Sequence, residues 1–235
     1  MQKIKKKGYA AKKQPEQEFM TVAHRISEFM ATYKKYIVLV LSAAVVVLVL
    51  AAGYAILRSV QEQKAAPLVA EAYEYYSPAD GTTADYQKAL TLFRDIQKKY
   101  SSTMSGAIAE YYVGNCLANL GQANEALKEY QQFIKTHTGE KFLLGLVYQR
   151  MGYALLELNK QADAIKAWEQ AESLSGPGVS TIELARLYEA TGNIPEAQKK
   201  YKLVLDKLGG TTWAMEAMIK TQKTAPATGA PKEVK

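Results

Sequence analysis

Three segments of this chain align with one another without gaps: GNCLANLGQANEALKEYQQFI (Gly114–Ile134), GYALLELNKQADAIKAWEQAE (Gly152–Glu172) and ARLYEATGNIPEAQKKYKLVL (Ala185–Leu205). Each opens on a small residue, Gly114, Gly152 or Ala185, and reaches Gly121, Asn159 or Gly192 seven positions later. Five further on stands Ala126, Ala164 or Ala197, and four beyond that an aromatic, Tyr130, Trp168 or Tyr201. A partial copy, DYQKALTLFRDI, puts Ala89 and Phe93 in the equivalent places, and the four alanines are 37, 38 and 33 residues apart. A period of this size marks a row of small units that bury their apolar faces only against their neighbours.

Each position has a mechanical reason. A small residue lets two antiparallel helices approach, because no side chain holds their backbones apart. Gly121, Asn159 and Gly192 end a first helix in the left-handed conformation that only such residues adopt cheaply. The second helix needs an alanine at the crossing and an aromatic to fill the space beyond it. Leu117, Leu120, Leu127, Ile134, Leu155, Leu158, Ile165 and Leu187 supply helical apolar spacing around them. Outside one long apolar run, no alternating Val/Ile/Thr segment meets an Asn-Gly turn, so no strand is expected.

The predicted fold is therefore all-α: one N-terminal transmembrane helix, then an α-solenoid of about four helix-turn-helix repeats. Its helices fall at 64–77, 85–100, 103–120, 122–136, 140–158, 160–174, 178–191 and 194–208. A terminal helix at 211–221, capped by Thr211 or Thr212, covers the end of the stack with Trp213, Met215, Met218 and Ile219. SPADGTTA (77–84) and SGPG (175–178) read as loops. Residues 222–235, rich in Pro and Ala, read as a disordered tail.

Tyr36 to Leu57 is a run of 22 residues without a charge. As a helix it is about 33 Å long, against a hydrocarbon core of about 30 Å. Lys34, Lys35 and Arg58 bracket it, with Tyr36 and Tyr54 where interfacial aromatics belong. It is too long, and begins too late, for the apolar region of a cleaved signal peptide. Residues 1–35 hold nine basic and three acidic residues, net +6, whereas the 15 residues after the run are neutral overall. The positive-inside rule then keeps the N-terminus cytoplasmic and exports the rest. In a bacterium this describes an inner-membrane, single-pass protein with a periplasmic domain. The expected organisation is a basic tail (1–35), the span (36–57), a repeat domain (60–221) and the tail (222–235). Within the first segment Phe19, Val22, Ile26, Phe29 or Met30 and Tyr33 share one helical face, suited to a lipid surface.

The repeat pattern resembles the tetratricopeptide repeat from about Ala84 to Leu208, although Thr138 replaces the family's closing Pro and two repeats are longer than usual. The resemblance implies a concave groove lined by the first helix of each pair. Its residues are Ile108, Tyr111, Asn115, Ala118 and Asn119 in the first full copy, Leu146, Gln149, Tyr153, Leu156 and Glu157 in the second, and Ile182, Arg186, Glu189 and Ala190 in the third. One subset of the family clamps a C-terminal carboxylate with Lys and Asn. Here Tyr111 and Asn119 flank Asn115, which argues against that clamp and for exposed hydrophobic segments or a partner helix. The whole arrangement, with AEAYEYY after the span and WAMEAMIK near the end, is similar to the ancillary-subunit family of the bacterial Sec translocon. That similarity implies exported clients, the translocon or periplasmic chaperones as partners. The alternative is a scaffold subunit of a division, pilus or secretion complex with one fixed partner.

Composition points away from chemistry. One Cys and two His exclude a disulfide framework and a Cys/His zinc cluster. Of the net charge of +7, +6 sits in the first segment and the other 200 residues carry net +1, so a nucleic-acid surface is not expected. No glycine-rich phosphate loop follows a strand, and Cys116 lies among apolar residues with His137 far off in the next helix. The chain reads as a non-enzymatic protein-binding module without cofactor, metal or small-molecule substrate.

Overall fold

A computed structural model describes residues 15–223; the basic cluster Lys3–Lys13 and residues 224–235, expected as parts of the two tails, lie outside this range. The described residues form nine α-helices and no strand. They are α1 (Pro15–Tyr76), α2 (Tyr86–Lys99), α3 (Met104–Asn119), α4 (Ala123–Thr136), α5 (Lys141–Glu157), α6 (Gln161–Ser175), α7 (Val179–Ala190), α8 (Ile194–Lys207) and α9 (Thr212–Lys223). The predicted boundaries from α2 onward agree within two residues. The first is corrected: an amphipathic helix, a span and a helix at 64–77 are one continuous helix. Residues 58–63 hold no breaker, and Pro67 is accommodated within α1.

Two units divide between Leu57 and Arg58. In the first, α1 is long and apolar enough to cross a membrane, and its apolar window is wholly exposed. Ser42, a hydroxyl within that run, donates to the Leu39 carbonyl at 2.9 Å, so its polar hydrogen is satisfied inside the helix. The Lys35 ammonium lies 5.0 Å from the centre of the Tyr36 ring.

In the second unit, paired helices stack through a core running from Ala65 to Leu187, with a smaller cluster in the last hairpin. The three full repeats turn in one way. Gly121, Asn159 and Gly192 have φ of 74°, 58° and 79°, and Asn159 is the one non-glycine with positive φ among the described residues. Behind each, the next amide reaches back five residues: Gln122 to Leu117 O, Lys160 to Leu155 O and Asn193 to Tyr188 O. These bonds satisfy carbonyls that the helix end leaves free.

In the first two full repeats the small residue meets the aromatic directly, sixteen positions on. A Cβ on Gly114 would lie 2.4 Å from the Tyr130 ring, and one on Gly152 would lie 2.3 Å from the Trp168 indole nitrogen. The small residue thus makes room for an aromatic ring and not only for a neighbouring backbone. Tyr130, Trp168 and Tyr201 are almost completely buried as a result.

Two ends of the stack depart from expectation. Thr211 caps α9 by accepting from the Ala214 amide at 3.2 Å, and α9 continues to Lys223. It packs through Ala214, Ala217 and half-buried Trp213, leaving Met215, Met218 and Ile219 exposed. A helix presents one stripe to its neighbour, and the alanines allow the closer approach. At the other end, Glu62 of α1 accepts from the Ser105 amide (3.1 Å) and hydroxyl (2.5 Å), placing a carboxylate on the N-terminus of α3.

Candidate functional site

The first turn-ends of the stack bring the last residue of α1 beside the C-terminal halves of α3 and α5. Between them lies a cleft of about 190 Å³, lined by Tyr76, Asn115, Ala118, Asn119, Tyr130, Arg150, Tyr153, Ala154 and Glu157. The buried Tyr130 hydroxyl donates to Asn115 Oδ1 at 2.8 Å, orienting the amide. Asn115 Nδ2, on a residue 2% exposed, has no hydrogen-bond partner. Asn119 Nδ2 donates to the Asn115 carbonyl (2.9 Å) and to the Tyr76 hydroxyl (3.3 Å). Arg150 Nε donates to the Tyr111 hydroxyl at 3.4 Å. Although burial opposes its charge, that hydroxyl and the neighbouring tyrosines hold the Arg150 pKa above the ordinary value. Burial likewise raises the Tyr76 and Tyr130 hydroxyls and keeps both protonated, Tyr76 accepting from Asn119 and Tyr130 donating to Asn115.

Of the positions implied by resemblance, Asn115, Ala118, Asn119, Tyr153 and Glu157 line this cleft. Ile108, Leu146 and Leu156 are half-buried against the core, and Gln149 is half-buried with its carbonyl accepting from the Trp168 indole at 3.0 Å. Tyr111 is buried, its hydroxyl turned to Arg150. Ile182 is a correction: it is fully buried with Ala185, Tyr201, Val204 and Ala217, and packs the last hairpin. Arg186 lies between Glu183 (2.8 Å) and Glu216 (2.5 Å). Glu189 accepts from the Tyr201 hydroxyl (2.6 Å) and from Lys220 (2.8 Å). The exposed Ala190 ends α7.

Residues 29–225 match the family described as tetratricopeptide repeat-like domain, a range that takes in the apolar run together with the repeats. The chain belongs to that family. Among solved structures, the tetratricopeptide-like repeat chain is similar to a kinesin light chain of Podosopora anserina with nearly identical repeats. The identity is 16%, coverage 69% of this chain and 85% of that one, and the TM-score 0.54. It is also similar to a tetratricopeptide repeat protein from Parabacteroides merdae at 15% identity and a TM-score of 0.54, covering 68% of this chain and 60% of that one. No curated protein matches in sequence. Tetratricopeptide repeat domains are, in general, protein-interaction scaffolds.

Within this repeat-like domain, sequence reasoning missed Arg150, Tyr76 and the cleft-facing side of Tyr130. Arg150 carried a signal: it stands three, four and seven residues before Tyr153, Ala154 and Glu157, hence on their helical face. Tyr76 carried none, because its place depends on how α1 docks. Cys116 is buried, which pushes its thiol up to about 12. His137 stacks on Phe133 and lies 3.7 Å from Glu110, whose carboxyl is raised to about 7 by burial and by Glu129.

Proposed function

We propose that this repeat-like protein is held in the bacterial inner membrane by residues 36–57 and binds exposed segments of newly exported proteins near the Sec translocon. The observation that carries the reading is one family range joining an uncharged 22-residue run to a repeat domain with a cleft of aromatic faces and hydrogen-bond donors. The run's length argues for a retained span over a cleaved signal. The excess of basic residues before it argues for a cytoplasmic N-terminus and a periplasmic repeat domain. Anchoring then raises the effective concentration of the cleft where chains leave the membrane. In this reading Asn115, Asn119, Tyr153 and Glu157 contact the bound segment, with Ile108, Leu146, Gln149 and Leu156 as its continuation.

A photo-crosslinking amino acid in place of exposed Glu157, activated in native membranes and followed by mass spectrometry, tests this. Many exported chains together with translocon subunits or periplasmic chaperones are the expected products. One stoichiometric envelope partner without clients would instead establish the fixed-scaffold reading, and absence of any protein adduct would remove the cleft as a binding site.

A further inference from the structure

The second helices of the repeat pairs carry opposite charges at their two ends. Lys98 and Lys99 end α2, Lys135 ends α4 and Lys207 ends α8, whereas Glu125, Asp163 and Glu196 open α4, α6 and α8. The helix dipole favours that arrangement in any helix. It would equally favour acids in the first turns of α3, α5 and α7 and bases in their last turns, and those helices have neither. Helix α5 even reverses it, opening on Lys141 and closing on Glu157. Because successive helices run antiparallel, the two edges of the stack differ in sign. One edge holds the α2–α3, α4–α5 and α6–α7 turns; it is basic, with Glu140 the one acidic residue in those turns. The other holds the α3–α4, α5–α6 and α7–α8 turns; it is acidic, with Lys160 the one basic residue in its turns. The repeats are close to neutral in sum and polarised in space.

The basic edge begins where the chain leaves the uncharged run. Ser102, in the α2–α3 turn, donates to Gln61 Oε1 at 3.3 Å, and Ser105 donates to Glu62. Gln61 is four residues past Leu57. As a helix those residues advance about 6 Å, comparable with the roughly 5–7 Å that headgroups add to each side of the hydrocarbon. With residues 36–57 across a bilayer, the α2–α3 turn is tethered at headgroup level whatever angle the two units make. Arg58, Lys64, Lys98, Lys99 and Met104 are exposed on the segments joined there, while Glu62 is occupied by Ser105. A basic, partly apolar surface at this depth matches anionic headgroups, whose attraction fades over a Debye length of about 8 Å.

We propose that the α2–α3 corner docks on anionic phospholipid headgroups, through Lys98 and Lys99 with Arg58 and Lys64, and so turns the acidic edge away from the membrane. This rests on residues 36–57 being a span, and not on the translocon or on the side of the membrane. The test uses the full chain in vesicles of phosphatidylcholine, alone or with about one-third phosphatidylglycerol. Cys116 is buried, so an environment-sensitive dye can be placed on Ser101→Cys alone, with Met215→Cys on α9 as the distant control. Quenching of the Ser101→Cys dye by a headgroup spin-labelled lipid should be about 3-fold stronger with phosphatidylglycerol, and about 1 M salt should remove the difference. Lys98→Gln with Lys99→Gln should do the same; both side chains are exposed, and the emission of buried Trp168 checks that the fold is kept. The Met215→Cys dye should show no dependence on lipid charge. Flotation with the vesicles but equal quenching in both lipids would overturn the docking and leave the span intact. A chain that floats with neither vesicle would overturn the span and the docking together. A phosphatidylglycerol effect that survives the double lysine substitution would overturn the assignment to the end of α2.

Discussion

At the scale of single residues, the repeat rests on a small side chain facing a large one. Gly152 is fixed by the Trp168 indole, whose ring would lie 2.3–2.6 Å from any added Cβ. In the third repeat Ala185 occupies the same place opposite Tyr201, both buried, so that hairpin accommodates one methyl more. Intrinsic propensity favours alanine over glycine in a helix by about 1 kcal/mol, yet the buried indole cannot retreat without breaking its hydrogen bond to the Gln149 carbonyl. Overpacking of this kind costs about 1–3 kcal/mol, and it outweighs the propensity gain. Gly152→Ala should therefore lower stability in urea unfolding followed by tryptophan fluorescence. A variant as stable as the parent would show that the hairpin yields and that the glycine is not required by the ring.

Among the elements, α1 behaves least like its neighbours. Its residues from Arg58 onward join the repeat stack through buried Ala65 and Ala72, and Glu62 holds the N-terminus of α3. Removing that carboxylate leaves the Ser105 amide and hydroxyl without their acceptor, a loss of about 1–2 kcal/mol. Glu62→Ala should speed amide exchange in 61–76 and at the first turn of α3 while leaving α7 and α8 unchanged; unchanged exchange at both places would refute the clasp. This contact also marks where the sequence stops being legible. Helices α2 to α9 could be drawn to within two residues because Gly121, Asn159 and Gly192 punctuate the chain by backbone conformation, a local property. The composition of the cleft is not local. Tyr76 enters it only through the register of α1 on α3, which depends on Glu62 and Ser105, 43 residues apart. Ile182, which shares a repeat position with groove residues, is covered because α9 packs against that hairpin. Arg150 was visible by periodicity, but nothing in a periodic pattern says that the hydroxyl of Tyr111, 39 residues away, is its hydrogen-bond partner.

For the whole molecule, the decisive question is which side of a membrane each unit occupies, and the chain contains its own silent background for the measurement. Its single thiol, Cys116, is buried in α3 and protonated at any physiological pH, because burial pushes it up to about 12. Maleimides attack the thiolate, so the folded protein should not label. A cysteine introduced at exposed Lys34 or exposed Gln63, either side of the 36–57 run, then reports alone. With the basic segment retained inside and the repeats exported, a membrane-impermeant maleimide added to spheroplasts should label Gln63→Cys and spare Lys34→Cys until the membrane is permeabilised. The reverse pattern would invert the proposed orientation. Labelling of both before permeabilisation would mean that the run does not span, and the cleft would then have to find its partners without an anchor to concentrate it.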